Sequence, residues 1–359
     1  MRSFIYEGLP SRVLFGRGTI SKIKEEVDAL GCKRVMVIST SQQVEDAKMV
    51  ERLLGNSLGT TFSGATMHTP VDVTETAMAE VERNRIDGLV SVGGGSSIGL
   101  GKAIALRTDL PQIVLPTTYA GSEMTPILGQ TEDGVKTTVR TQKVLPETVI
   151  YDVDLTVSLP ALMSVTSGLN AMAHAIEALY ASNTNPVVSQ MAEAGIAALY
   201  RSLPKLRENP SDLDVRAEAL YGAWLCAICL ASTSMGLHHK LCHTLGGTLD
   251  LPHAETHTVI LPHALSFNAP VVRDAVAVIK RALGGEGIAG RIYDIAKISG
   301  APVALKELGM TEGDIEVVVQ AVMEKPYANP RPLDEEMVRR IVKNAWSGVR
   351  PDHSTYANR

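Results

Sequence analysis

The feature that most constrains this fold is a change of hydrophobic rhythm near residue 155. Before it, short β-branched runs at 34–38, 88–92, 112–115 and 148–151 read as strands, and 4–14 reads as extended. Between them the spacing predicts helices at 20–30, stopped by Gly31, at 71–83, with Pro70 suited to the first turn, and from about Ile98. Strands separated by helices pack as a parallel sheet with helices on both faces. From Pro160 onward the pattern is helical, at 161–182, 187–203, 215–243 and 335–346, with almost no convincing strand. The chain has 359 residues, more than one core of roughly 250–300 residues supports. The expected architecture is therefore an α/β N-terminal dinucleotide-binding domain over 1–155 and an all-α substrate domain over 156–359. Ligand sites favour the cleft that such a pair makes.

Charge and cysteine usage exclude several classes. Net charge is 34 − 39 = −5 without a run of like charges, which argues against nucleic-acid or anionic-membrane partners. No uninterrupted apolar stretch approaches the ~20 residues of a membrane helix, and the N-terminus has no apolar signal core. Cys32, Cys226, Cys229 and Cys242 do not form a disulfide framework. The C-x-x-C at 226–229 lies in an apolar helical run and reads as buried thiols. A cytoplasmic, reducing location is expected.

Two loops carry the features of a nucleotide site. Gly93-Gly94-Gly95-Ser96-Ser97 follows a strand and precedes a helix. The missing Cβ atoms let backbone approach a phosphate, and the helix offers unpaired N–H groups and its positive dipole end. The pattern is not G-x-G-x-x-G, so an ordinary Rossmann domain is not implied. After the next strand come Thr117, Thr118, Gly121 and Ser122, short polar groups suited to a ribose or phosphate. The strand at 34–38 ends in Ser39 and Thr40 rather than an acidic residue. Nothing there repels a 2′-phosphate, so NADH or NADPH is the expected cofactor.

Histidines concentrate in one region. His238, His239, His243, His253 and His257 fall close together, and His174 lies on an earlier helix four residues after Asn170. His239 and His243 share a helix face, near an end that Gly246 and Gly247 are expected to form. One such histidine is usually a satisfied core residue. A cluster points to metal binding or to holding an anionic substrate.

These motifs together resemble the iron-containing alcohol dehydrogenase family, over nearly the whole chain. The likeness rests on 93–96, on 116–118 with Gly121-Ser122-Glu123, on Asn170 to Glu177, and on His239 to His253. It implies a dehydroquinate synthase-like architecture. Metal-dependent members hold their ion with one Asp and three His, and the matching positions here are Asn170, His174, His239 and His253. Asn170 supplies neither the charge nor the strong oxygen ligand of an aspartate, so no metal is expected. Gly99 likewise replaces an acidic residue that often follows the glycine-rich turn. With the pattern 236–243 and 252–257, these departures are similar to the maleylacetate reductase subgroup. That resemblance implies reduction of maleylacetate, a small anionic substrate, to 3-oxoadipate in aromatic-compound breakdown, and a homodimer.

In this reading His243, His253 and His174 stabilise developing negative charge, as imidazolium or as imidazole N–H donors. Asn170, His239 and His257 line the substrate pocket, with Lys240 or Arg331 as possible carboxylate anchors. The alternatives are a metal-dependent alcohol dehydrogenase, a lyase using NAD transiently, and a nucleotide-binding regulator without catalysis.

Overall fold

A computed structural model describes residues 3–356. They divide into two compact units, 8–159 and 160–356, with 3–7 grouped with the second.

In the first unit the elements in chain order are β1 (Arg12–Gly16), α1 (Ile23–Ala29), β2 (Val35–Ile38), α2 (Val44–Leu54), β3 (Leu58–Phe62), α3 (Val71–Arg83), β4 (Gly88–Gly93), α4 (Gly95–Thr108), β5 (Gln112–Pro116), β6 (Ile127–Glu132), β7 (Val135–Arg140) and β8 (Thr148–Asp152). Six strands form one sheet in the order β1-β8-β5-β4-β2-β3, and every pairing in it is parallel. The side-chain period of two serves both faces. Val35 and Val37 of β2 join a core with Ile23, Val27, Val50 and Leu54 from α1 and α2. Met36 and Ile38 join another with Ala77, Val81, Leu100 and Ile104 from α3 and α4.

The sequence reading contains no element at 44–62 or 127–140, and its first strand begins too early. β3, Leu-Gly-Thr-Thr-Phe, is a half-buried edge strand whose glycine and threonines hide its pattern. The hairpin β6–β7 turns at Asp133 (φ 49°) and Gly134 (φ 77°). Asp-Gly is the pair that such a positive-φ hairpin turn favours.

Chain direction decides where this sheet can bind a ligand. From β2 the chain steps outward to β3, then crosses back to β4 and on to β5. The strand order therefore reverses between β2 and β4, and crevices at the carboxyl ends of such strands receive ligands. Ser39 and Gly93 stand at those ends.

The second unit is helical among its described residues: α5 (Ala161–Tyr180), α6 (Pro186–Glu208), α7 (Leu213–Ser232), α8 (Leu237–Leu249), α9 (His253–Asn268), α10 (Arg273–Leu283), α11 (Ile288–Ile298), α12 (Ile315–Glu324) and α13 (Glu335–Ser347), with short 3-10 turns between them. The expected helix at 215–243 is two helices, because Thr233 is extended and Gly236 begins α8 afresh. Nor do Gly246 and Gly247 end α8. It runs to Leu249 and stops at Asp250, which is left-handed with φ 52°. By length and composition α7 could cross a membrane; here it packs on α5 and α6, as a core helix does. All four cysteines are buried and carry no disulfide.

One packing contact ties the glycine-rich turn to a strained segment. Thr69 is buried, with φ 48°, a conformation costly for a β-branched residue. Its carbonyl accepts from the N–H of Thr131 in β6. A Cβ on Gly99, in the first turns of α4, would lie 2.3 Å from Thr69 Oγ1. Gly99→Ala should therefore cost about 1–3 kcal/mol by overpacking. Adding Thr69→Gly, which removes both the obstruction and the strained φ, should restore most of that loss, as read by urea denaturation of the three proteins.

Candidate active site

Most of the expected nucleotide-binding residues are joined to one another by direct contacts at the carboxyl ends of β2, β4 and β5. β4 ends at Gly93, whose φ of 137° favours glycine. A Cβ there would lie 2.2 Å from Gln43 Oε1 and 2.7 Å from Ser97 Oγ. Gly94 begins α4 without a side-chain cap, so its leading N–H groups have no side-chain partner there. A Cβ on Gly94 would lie 3.0 Å from Thr118 Cγ2, while one on Gly95 would meet empty space. Gln43 Nε2 donates to Thr117 Oγ1 at 2.7 Å, and Thr40 Oγ1 donates to Gln43 Oε1 at 3.2 Å. Ser39 is buried, hydrogen-bonded to Ser63. Glycines without side chains beside an uncapped helix start fit a dinucleotide phosphate, and Ser96 and Ser97 lie in that first turn. Gln43 is the member that sequence reasoning missed, because a glutamine after Ser39-Thr40-Ser41 looks like ordinary polar loop.

Ser122 also anchors its loop through the main chain. Its carbonyl, with Thr125 O, Thr125 Oγ1 and Ile127 O, accepts from Nζ of the buried Lys102 at 2.6–3.0 Å. Burial pulls that ammonium down to about 7, while the ring of acceptors favours its protonated form. Lys102 thereby pins the loop after β5 to α4.

In the helical unit the histidines form one packed group with His239 at its centre. Its ring lies 5.2 Å from His174, 5.1 Å from His238, 5.1 Å from His257 and 5.8 Å from His243 by centroids. His253 joins through His257 at 4.3 Å. His174, His238, His239 and His257 are buried, whereas His243 and His253 are exposed. Burial, then neighbouring imidazoles, holds His174, His238 and His257 well below the usual histidine range. His174 therefore contributes as a neutral imidazole, not as the imidazolium the sequence left open. His238 Nε2 and His257 Nδ1 share a proton at 2.9 Å, and His243 Nδ1 faces Tyr327 OH at 3.3 Å.

A carboxylate to which the sequence reading gave no role lies at the base of this group. Glu177 follows His174 by three residues on α5 and accepts from His239 Nδ1 at 2.7 Å. It also accepts from the N–H groups of Gly236 and His238, both at 2.9 Å, at the start of α8. Arg331, one of the two anchor candidates, is buried among protein groups. Its Nη1 donates to the carbonyls of Phe267 and Tyr356, and the guanidinium lies 4.4 Å over the Phe267 ring. Lys240 is partly buried, 5.8 Å from the Tyr327 ring.

The positions matching the family's metal ligands are Asn170, His174, His239 and His253. Asn170 brings a neutral amide, and its Oδ1 is buried without a partner. Among the described residues, the three side chains whose ligand atoms lie within 4.8 Å of one another are instead His238, Cys242 and His257. Two of those atoms are already bonded to each other.

Buried neutral histidines make stability depend on pH. Burial also pulls His263, hydrogen-bonded to Tyr356 at 2.7 Å, down to about 3. In an unfolded chain each of these imidazoles takes up a proton near pH 6.5. Above that pH both states are neutral and their contribution is fully present. As pH falls below it, only the unfolded chain gains protons, and stability drops by about 1.4 kcal/mol per pH unit for each histidine. For His263 the loss extends to about pH 3. The urea midpoint should therefore be markedly lower at pH 5.5 than at pH 7.5, and His263→Gln should shallow that slope by roughly one proton.

Comparison with known proteins places these features. The iron-containing alcohol dehydrogenase model matches residues 10–153, and the C-terminal model of the Fe-containing alcohol dehydrogenase family matches 164–346. A maleylacetate reductase of Burkholderia cepacia is 50% identical over 351 residues, covering 98% of this chain and 100% of that one. The crystal structure of maleylacetate reductase from Agrobacterium tumefaciens superposes with a TM-score of 0.95 at 49% identity, over 98% of this chain and 100% of that one. An iron-containing alcohol dehydrogenase from Corynebacterium glutamicum gives 0.95 at 43%, over 99% and 100%. With its parallel sheet, glycine-rich turn and histidine group, this chain is an oxidoreductase that belongs to the iron-containing alcohol dehydrogenase family and falls among that family's maleylacetate reductases.

Proposed function

We propose that this protein reduces maleylacetate to 3-oxoadipate with NADH or NADPH and without a metal ion. The observation that carries the reading is the packed imidazole group around His239, three members of which are held neutral, with an amide at position 170. The 50% identity to a maleylacetate reductase supports the substrate.

The substrate is a dianion with a carbon–carbon double bond conjugated to a ketone. When bound, the reduced nicotinamide supplies the hydride, which forms a C–H bond at the carbon β to the ketone. The π electrons move to the ketone oxygen, and a proton then adds at the α carbon. This chain must stabilise the oxygen's charge and deliver the proton. His243 and His253 are the exposed members of the group and can reach a bound substrate with an N–H. His174, neutral and buried, contributes a hydrogen bond rather than charge. Lys240 is the remaining cation suited to a substrate carboxylate.

On the dinucleotide side, the glycine-rich turn with Ser96, Ser97, Thr117 and Thr118 holds the phosphates. Ser39 and Thr40 close β2 without a carboxylate, which suits either cofactor. The ratio of kcat/KM for NADH and NADPH should stay within about a hundredfold, since no acidic group selects the 2′-hydroxyl.

The deciding assay follows NADH oxidation with maleylacetate before and after exhaustive chelation. Activity should survive. Activity that collapses and returns with iron or zinc would refute the metal-free mechanism, and turnover of simple alcohols alone would refute the substrate. His243→Ala and His253→Ala should each lower kcat about 100-fold or more; near-normal turnover in both would remove them from the chemistry.

A further inference from the structure

The strongest unassigned feature of the helical unit is the Glu177 carboxylate, whose side chain is 0% exposed. Oε2 accepts from His239 Nδ1 at 2.7 Å, from Gly236 N at 2.9 Å and from His239 N at 3.4 Å. Oε1 accepts from His238 N at 2.9 Å. The fit leaves no room for a side chain at 236, where a Cβ would approach Oε1 to 3.0 Å. N–H groups surround the carboxylate on every contact named, and a carboxylate in such a setting only accepts. Nδ1 of His239 therefore carries a proton. Nε2 is buried with no partner in the protein, as are Asn170 Oδ1, His174 Nδ1 and His257 Nε2. Buried polar atoms without partners are rare in folded proteins, and the three imidazoles named here pack against one another.

We infer that Glu177 is a positioning residue for the proposed reduction: it fixes His239 in the Nδ1–H tautomer and presents the Nε2 lone pair as an acceptor in the reaction site. An acceptor in this packed group selects its ligand. It takes an O–H donor such as a water molecule, and it repels a carboxylate or an enolate oxygen. The buried end of the histidine group thus holds a hydroxyl donor such as water, and the two carboxylates of the dianion stay with the exposed side chains. This inference rests on the function proposed above.

The test begins with the wild-type protein labelled with 15N in its histidine rings. The His239 signals, assigned by their loss in His239→Gln, should show Nδ1 protonated and Nε2 unprotonated. The opposite tautomer would overturn the inference, and this readout needs no activity and no variant of Glu177. Glu177→Gln should then lower kcat about 10- to 100-fold, as loss of an orienting partner commonly does, and leave KM for NADH unchanged. Glu177→Asp should recover part of that loss. In a His239→Gln background, Glu177→Gln should add little, because both changes remove one unit. The same loss in both backgrounds would mean that Glu177 only supports the fold, and would overturn the positioning role. If wild-type protein fails to oxidise NADH with maleylacetate, the proposed function falls, while the tautomer is still decided by the nitrogen spectra.

Discussion

A carboxylate sealed inside a helical bundle costs several kcal/mol of lost hydration unless its surroundings replace the water. Around Glu177 the replacement comes from backbone N–H groups at the beginning of α8 and from one imidazole. Those N–H groups are the ones a helix leaves unpaired at its start, and the positive end of the helix dipole adds to their effect. The chain meets this requirement by breaking the long apolar run after Ser232 and restarting at Leu237, so that a helix start exists where α5 presents its glutamate. The restart also sets the angular register of everything on α8. His239 and His243 share the face that meets His174, while His238 and Cys242 turn together toward His257 on α9. Moving the break by one residue would rotate each of these side chains by about 100°, and the histidine group would not assemble.

Neutrality is the second constraint, and it follows from the first. With one carboxylate buried and paired, burial keeps His174, His238 and His257 in the neutral form. An aspartate at position 170 would place a further carboxylate one turn from His174, which burial holds neutral, at a cost of several kcal/mol. The amide of Asn170 avoids that cost while keeping a buried oxygen that can accept a hydrogen bond. The residue at 170 and the state of the imidazoles are thus one consistent choice.

Much of the sheet was legible because its signals are local. β2, β4, β5 and β8 are short apolar runs buried on both faces, and the glycine-rich turn sits between β4 and α4. The edge strand β3 escaped because half-burial gives it no pattern, and the hairpin β6–β7 because its only local mark is Asp133-Gly134. The site was partly legible: the histidines, Asn170 and the phosphate turn announce themselves by residue type. Glu177 and Gln43 do not, since their roles come from partners 59–62 and 74 residues away. His239 reads on the sequence as one lining histidine among several, and only packing makes it the hub. Arg331 reads as a candidate anchor, but its guanidinium is already engaged with two carbonyls and a phenyl ring.

Two departures from the family's usual pattern, Asn170 and Gly99, each remove a carboxylate, and each has its own steric or electrostatic reason. At 170 the reason is a neutral, buried surrounding. At 99 it is space: Thr69, held in a strained backbone conformation, already fills the volume that a side chain would enter. Both positions adjoin places where the proposed ligands are negative, the phosphates on the glycine-rich turn in one unit and a dianion on the histidine group in the other. In each place, removing a fixed negative charge lowers the repulsion that an anionic ligand meets before any direct contact forms. The same local substitutions that make the packing self-consistent thus bias both sites toward anions, and the specificity of the enzyme is set as much by the charges it lacks as by the imidazoles it displays.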